Sequence, residues 1–485
     1  MKEAFATLKT RRALGPDLLC KEYLIHMHEY FFSWTARAFA PRFVSESTVR
    51  YTFLDARKVV MARELAKLGK LDLQNTRLIA QYTFFEKWYQ KCVEQHLQAK
   101  VSYLIDDRIG GIRRGSRILD FVSYVNTAIQ HSHTWQLSLT TAKVDVRRMF
   151  ANVPYSVLHA TLMSFDIPMQ WINILMAQVA CNRFEITTVR GDVVCVDLQQ
   201  GLIEGAAVSI MLIGLLLTRF LQQLRSEDEY KQCSVTLPFD EFQPPITLKE
   251  AGWIDDWVLF ADSVQNMERL LHLWSRVLQQ IGWSIHVRKI EFLCTSQCPQ
   301  HLCFEDNNIA PCGSFVWLGC KILNTGRATA HVHHRTTLAT ASWRLLIRHF
   351  DFTRLPFRVN ARLYKSIIEA VLTHGCNSFA LTADDFDHVR KFQNMVQRTF
   401  IRSAEPDQRA RWLEIHSRLN GPRTLGYISD SISVLVSKCK RSSYCQVTQE
   451  LIDFRGSSWL QALGRRRPDR KRCGRPAITL ASLLK

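Results

Sequence analysis

Two adjacent carboxylates set inside an apolar stretch constrain this chain more than any other feature. The stretch is Gly252-Trp253-Ile254-Asp255-Asp256-Trp257-Val258-Leu259-Phe260. Burying unpaired carboxylates costs several kcal/mol or forces a large pKa shift, so these acids require a cation or a turn open to water. A β-hairpin that presents Asp255 and Asp256 at its tip satisfies both the apolar flanks and the acids. A third acid, Asp145, lies between Val144 and Val146, after the alternating Trp135, Leu137 and Leu139. It reads as a residue near the end of a second strand. Three carboxylates converging at adjacent strand ends supply oxygen ligands for hard divalent cations such as magnesium. Two such ions about 3.5–4 Å apart can hold the attacking and leaving oxygens of a phosphoryl displacement. Taken alone, an Asp-Asp pair is more often a solvated turn.

Charge points the same way. Lys plus Arg (63) exceeds Asp plus Glu (44) by 19 among 485 residues, and the pI is about 9.5. Such a surplus predicts a polyanionic partner, nucleic acid ahead of a membrane surface. The composition, 47% hydrophobic and 22% charged, is that of a folded chain. The most apolar window, Ala206 to Leu217, is too short to span a bilayer, and the N-terminus has no apolar signal core. The 14 cysteines then read as reduced thiols, and the protein is expected inside the cell.

From about residue 71 to 330 short apolar runs alternate with helical patterns, which favours an α/β or α+β core. Pro154 sits where a first helical turn wants it, with Leu158, Leu162 and Phe165 on one face. Met267, Leu270, Leu271, Trp274, Val277, Leu278 and Ile281 make an amphipathic helix closed by Gly282. Beyond about 336 the pattern is mostly helical. His331, His333 and His334 precede that region and read as a surface strand. Cys294, Cys298, Cys303 and Cys312, with His301, lack the paired spacing of structural zinc and read as free thiols. Arg465 to Arg475 is a basic tail that reads as extended: a nuclear-import signal, a non-specific phosphate contact, or a solvated tail with no role.

In this setting a set of short motifs resembles the reverse transcriptase of a non-long-terminal-repeat (LINE-type) retrotransposon, in the family's own order. Gly15-Pro16-Asp17 resembles the lead-in. Arg77-Leu78-Ile79-Ala80 with Lys87, and Gly111-Ile112-Arg113-Arg114-Gly115, resemble the two finger motifs. Asp145-Val146-Arg147-Arg148-Met149-Phe150-Ala151 resembles the first palm motif, and Gly201-Leu202-Ile203-Glu204-Gly205 with Ser209 the next. Ile254-Asp255-Asp256 resembles the metal-binding box. Gly282 to Lys289 resembles the segment that follows it, and Phe315-Val316-Trp317-Leu318-Gly319 the primer grip. Tyr364 to Phe379 resembles the thumb, and Gly474-Arg475-Pro476 a basic element near the end of such reading frames.

The resemblance implies an α+β right-hand polymerase: a lead-in over 1–70, fingers and palm over 71–335, a helical thumb-like region over 336–440 and a basic tail over 441–485. It implies an RNA-directed DNA polymerase, a nucleotidyltransferase that takes an RNA template, a DNA primer and a dNTP. Asp145, Asp255 and Asp256 would bind two magnesium ions, with manganese as a substitute, and Lys289 would meet the leaving pyrophosphate. Arg77, Lys87, Arg113, Phe150, Glu204 and Gly205 would surround the incoming nucleotide, Phe150 selecting against a 2′-hydroxyl. Trp317, Leu318 and Gly319 would hold the primer. The nucleus is the expected compartment, with the cytoplasm the alternative. No endonuclease segment is recognisable, so a nuclease missing from this chain and a longer parent element are expected. Four positions depart from the pattern: Ala151 for an acid, Glu204 for glutamine, Ile210 for proline, and Trp253 for tyrosine or phenylalanine. They leave open a degenerate enzyme or an inactive nucleic-acid-binding remnant, and a group II intron maturase-like protein, which shares the palm, is a further alternative.

Overall fold

Alternation along Thr140–Arg147 sends Ala142, Val144 and Val146 into the core and leaves Lys143, Asp145 and Arg147 on the opposite, wetter face. That strand is the centre of the computed structural model. The structure describes residues 1–10, 19–27, 29–44, 58–63, 77–113, 115–180, 183–187, 193–237, 245–296, 300–352, 355, 357–379 and 381–402. The lead-in Gly15-Pro16-Asp17, Arg114, Cys298 and the basic tail lie outside them.

The chain divides into two compact units: Met1–Arg114, Val146–Tyr230 and His272–His286 form one, and Gly115–Asp145, Lys231–Leu271 and Val287–Lys485 the other. In the first, a four-stranded sheet runs in the order Arg77–Gln81, Lys58–Arg63, Arg183–Thr187, Val193–Asp197. The adjoining helix Phe84–Val101 begins in a capping arrangement, the Thr83 hydroxyl accepting from the Glu86 N–H at 3.3 Å. Helix Ala207–Ser226 runs well beyond the apolar window Ala206 to Leu217, and by length and composition it is the one described helix able to cross a bilayer. Most of its apolar window is buried within the protein, with Phe220 edge-on to Trp274 at 4.9 Å, as in a core helix.

In the second unit the strand residues Thr140 to Asp145 pair antiparallel with Asp256–Ala261 on one side and with Glu291–Cys294 on the other. Asp256–Ala261 pairs in turn with Ala251–Trp253. Helices Ile118–Thr134, Thr329–His349 and Ala383–Arg402 bury Val125, Ile129, Val332, Trp343 and Val396 in one apolar cluster with sheet residues Val258, Phe260 and Leu293. Helices packed with an antiparallel sheet make this an α+β fold.

One expected strand begins later than its alternation suggests, and another is helix instead. Trp135 caps the C-terminus of Ile118–Thr134, and the strand begins only at Thr140. The helix ends in a Schellman motif: Leu137 N–H bonds Ser132 O at 2.8 Å and Gln136 N–H bonds His133 O at 3.3 Å. Its left-handed position is Gln136, φ +54°, where glycine would have signalled the stop. His331, His333 and His334 lie in Thr329–His349, and His331 is fully buried. That helix opens on Ala328, which makes no side-chain cap, so its start carries no sequence signal.

Candidate active site

The paired acids sit where the apolar flanks predict, at the tip of a hairpin. Trp253 and Asp256 are cross-strand partners, so Ile254 and Asp255 form the two-residue turn. Ile254 is held at φ +58°, a conformation β-branched residues avoid. Two features hold it there. The Trp257 indole N–H donates to the Ile254 carbonyl at 2.9 Å. Gly252 lies under the buried Trp257 ring so closely that a Cβ would meet it at 2.4 Å.

Asp256 lies directly opposite Asp145 in the antiparallel ladder. Like charges in that relation oppose sheet formation. Burial pushes the Asp256 carboxyl above its usual range, Asp255 and Asp145 push it further, and Lys143 and Lys289 pull against them. Lys289, in the short 3-10 turn Val287–Lys289, donates from Nζ to Asp145 Oδ2 at 2.9 Å. Lys143, two residues before Asp145 on the same face, pairs with Glu291 at 3.1 Å. Its part in this electrostatics was readable from the two-residue period of the strand but carries no motif.

The donor chemistry suits a hard divalent cation, because the negative charges of Asp255 and Asp145 act on Asp256 and a positive charge relieves that repulsion. Among the described residues no three His, Cys, Asp or Glu side chains form a ready-made ligand cluster. Asp145, Asp255 and Asp256 are the residues that would hold such a cation, and Lys289 occupies one oxygen of Asp145.

Arg77, Lys87, Arg113, Phe150, Glu204 and Gly205 belong to the first unit. Arg77 opens the strand Arg77–Gln81, and Lys87 is half-buried in the first turn of Phe84–Val101. Arg113 is ion-paired with Asp107. Phe150 is half-buried in the turn after the Asp145 strand, and its carbonyl accepts from Leu202 N–H at 2.7 Å. Gly201 N–H bonds Val153 O at 2.8 Å, and a Cβ on Gly201 would lie 2.6 Å from Ala151 O. Two motifs distant in sequence are thus strapped together by backbone, with Gly201 as the close approach that motif reading passed over. Glu204 is half-buried and Gly205, φ +96°, is exposed beyond them.

Trp317 ends the strand Ser314–Trp317 with its side chain buried, and Leu318 and Gly319 turn the chain into Cys320–Leu323. The Leu318 carbonyl accepts from His374 Nε2 at 3.0 Å and the Gly319 carbonyl from Arg335 Nη1 at 3.3 Å. Neither His374 nor Arg335 stands out in the sequence.

A family model described as reverse transcriptase (RNA-dependent DNA polymerase) matches residues 67–322, more than half of the chain. No curated protein matches the sequence. Among solved structures, apo telomerase from Candida tropicalis is similar at 11% identity and TM-score 0.44, over 88% of this chain and 74% of that one. The same telomerase truncated from its C-terminal domain is similar at 11% identity and TM-score 0.41, over 57% of this chain. This chain spans 55% of that truncated protein's length. Telomerase from Candida albicans, in complex with a fragment of telomeric RNA, is similar at 9% identity and TM-score 0.44, over 90% of this chain and 67% of that one.

Proposed function

Because this chain belongs to the reverse transcriptase (RNA-dependent DNA polymerase) family, we propose that it copies RNA into DNA as the polymerase of a non-long-terminal-repeat retrotransposon. The observation that carries this reading is the opposition of Asp256 and Asp145 across the ladder beside a turn held at Ile254 φ +58°. A fold that stability alone governed would not set like charges in register next to a strained turn.

In this reading Asp145, Asp255 and Asp256 hold two magnesium ions, which manganese can replace. Bound magnesium supplies Lewis-acid stabilisation of the charge that builds on the α-phosphate during attack by the primer 3′-hydroxyl. Lys289 leaves Asp145 for the pyrophosphate, where its ammonium holds charge or gives up a proton. Phe150 packs under the sugar of the dNTP and excludes a 2′-hydroxyl. Arg77, Lys87 and Arg113 contact triphosphate or template, Arg113 exchanging Asp107 for phosphate oxygens. Glu204 and Gly205 line the nucleotide, and Trp317, Leu318 and Gly319 hold the DNA primer on its RNA template. The work belongs in the nucleus, where a nuclease activity supplies the primer end.

A second reading, an inactive nucleic-acid-binding remnant, draws on Glu204. An acceptor-only carboxylate there repels the nucleotide's own charge. Extension of oligo-dT on poly-rA with magnesium decides between the two. Extension by the wild type that vanishes in Asp255→Ala is the expected result. Equal silence of both, with the hybrid still bound, would sink the polymerase reading in favour of the remnant.

A further inference from the structure

The hairpin Ser314–Trp317/Cys320–Leu323 closes through a two-residue turn, since Trp317 and Cys320 are cross-strand partners. Leu318 and Gly319 have φ of +50° and +76°, as a type I′ turn requires. For leucine the left-handed conformation costs about 1–2 kcal/mol. The carbonyls of both turn residues are held by side chains from two other elements.

His374 Nε2 donates to the Leu318 carbonyl at 3.0 Å. Arg335 reaches across with Nη1 on the Gly319 carbonyl at 3.3 Å and Nε on the Val371 carbonyl at 2.7 Å. The guanidinium therefore spans from the turn to the helix end just before His374. His331, one helical turn before Arg335, accepts the Lys321 N–H on Nδ1 at 3.1 Å and bonds the His374 carbonyl through Nε2 at 3.0 Å. The turn, the start of the return strand and segment 371–374 become one hydrogen-bonded block.

Steric fit makes the block tight. A Cβ on Gly319 would meet His374 Nε2 at 3.0 Å, and a Cβ on Gly375 would meet the Cys320 sulfur at 2.2 Å. Both glycines sit at positive φ, so an added side chain would be strained as well as crowded. The chemistry is costly for mere packing. Arg335 is 8% exposed and His331 fully buried. A desolvated guanidinium spent on backbone carbonyls is dearer than an apolar side chain of the same volume. What that expense secures is the orientation of one turn.

We propose that Arg335 and His374, backed by His331, are positioning residues that set the angle of the Leu318–Gly319 turn and thereby the resting place of the primer 3′ end. This rests on the reading that the turn grips the primer strand. None of the three side chains needs to touch nucleic acid. They act through the turn, so their loss shows in the rate of the chemical step more than in affinity for the hybrid.

The test uses the full chain and a primer whose terminal nucleotide is a photoreactive thiothymidine, annealed to poly-rA. Crosslinking maps the primer end, and single-turnover addition of dTTP to the pre-bound hybrid gives the rate. His374→Ala is expected to slow addition at least about tenfold, with Kd for the hybrid changed by no more than about twofold. His374→Gln, whose amide can still donate to the Leu318 carbonyl, is expected to regain most of that rate. Arg335→Lys keeps the charge but loses the two-carbonyl span, and it should behave like His374→Ala. A wild-type crosslink outside residues 314–323 would defeat the grip reading itself. With the crosslink in that hairpin, wild-type rates in His374→Ala and Arg335→Lys would overturn the positioning role alone. Should His374→Ala melt early, His374→Gln decides: a stable Gln variant as slow as Ala overturns the proposal.

Discussion

Asp256 is pushed upward in pKa by burial and by two neighbouring acids, yet nothing in the fold replaces it with a neutral side chain. Its folded value lies above its unfolded one, so the native state holds the extra proton. Stability then falls as pH rises from the usual carboxylate range through the raised value, and stays at the lower level at neutral pH. Asp256→Asn removes that loss. Its melting temperature should exceed the wild type's at pH 7, and the gap should close as pH approaches 4, while extension is abolished. Scanning calorimetry across that range checks the first part, and a variant that melts lower at every pH would contradict it. Lys289 is the residue whose role shifts most in the folded chain. The segment that resembles the family's lysine motif is visible in the sequence, whereas its bond to Asp145 joins residues 144 apart.

At the scale of elements, the helix Thr329–His349 illustrates how a local misreading hides a long-range contact. His331 is pulled down to about 3, first by burial and then by Arg335, His334 and His374 around it, while its bond to the His374 carbonyl works the other way. The unfolded chain binds a proton near pH 6.5 and the native state does not, so stability rises with pH across this window and is lost on acidification. At pH 4 the expected loss from this residue is about 3 kcal/mol. Protonation also forfeits the bond from Lys321 N–H to Nδ1, which only the neutral ring accepts. His331→Leu should be less stable at pH 7 because that N–H is stranded, yet show a flatter decline between pH 6.5 and 4. Urea titrations at the two pH values measure both, and parallel slopes in variant and wild type would refute it. Two helix ends show why such elements escape a sequence reading. The helix Val264–Gln280 and the helix Ile118–Thr134 stop in the same Schellman geometry, with Trp283 N–H on Leu278 O at 3.0 Å and Leu137 N–H on Ser132 O at 2.8 Å. The first has Gly282 in the left-handed position and was legible; the second has Gln136 and was not.

For the whole molecule, the 19-charge surplus is a statement about partners and not about fold. Binding to an RNA–DNA hybrid should be dominated by phosphate contacts and weaken steeply with salt. Between 50 and 200 mM salt an affinity loss of about tenfold or more is expected, with log Kd linear in log salt. Fluorescence anisotropy on a labelled hybrid measures the slope, and a slope near zero would remove nucleic acid as the partner that the charge implies.

Much of the candidate site was present in the order of residues. Asp145 with its apolar neighbours, the Asp255-Asp256 pair, the Pro154 and Gly282 punctuation and the Thr83–Glu86 cap all follow from interactions within a few residues, which any stretch of chain carries with it. The tertiary structure alone decided which strand faces which, and in what register. It set Asp256 against Asp145, gave Lys289 to Asp145 and Lys143 to Glu291, and placed His374 and Arg335 on the Leu318–Gly319 turn. Periodicity and capping are local free energies, legible one window at a time. Register and partner choice are minima of packing between segments from 16 to more than a hundred residues apart, and a local period or cap says nothing about which segment lies on the other side of such a contact.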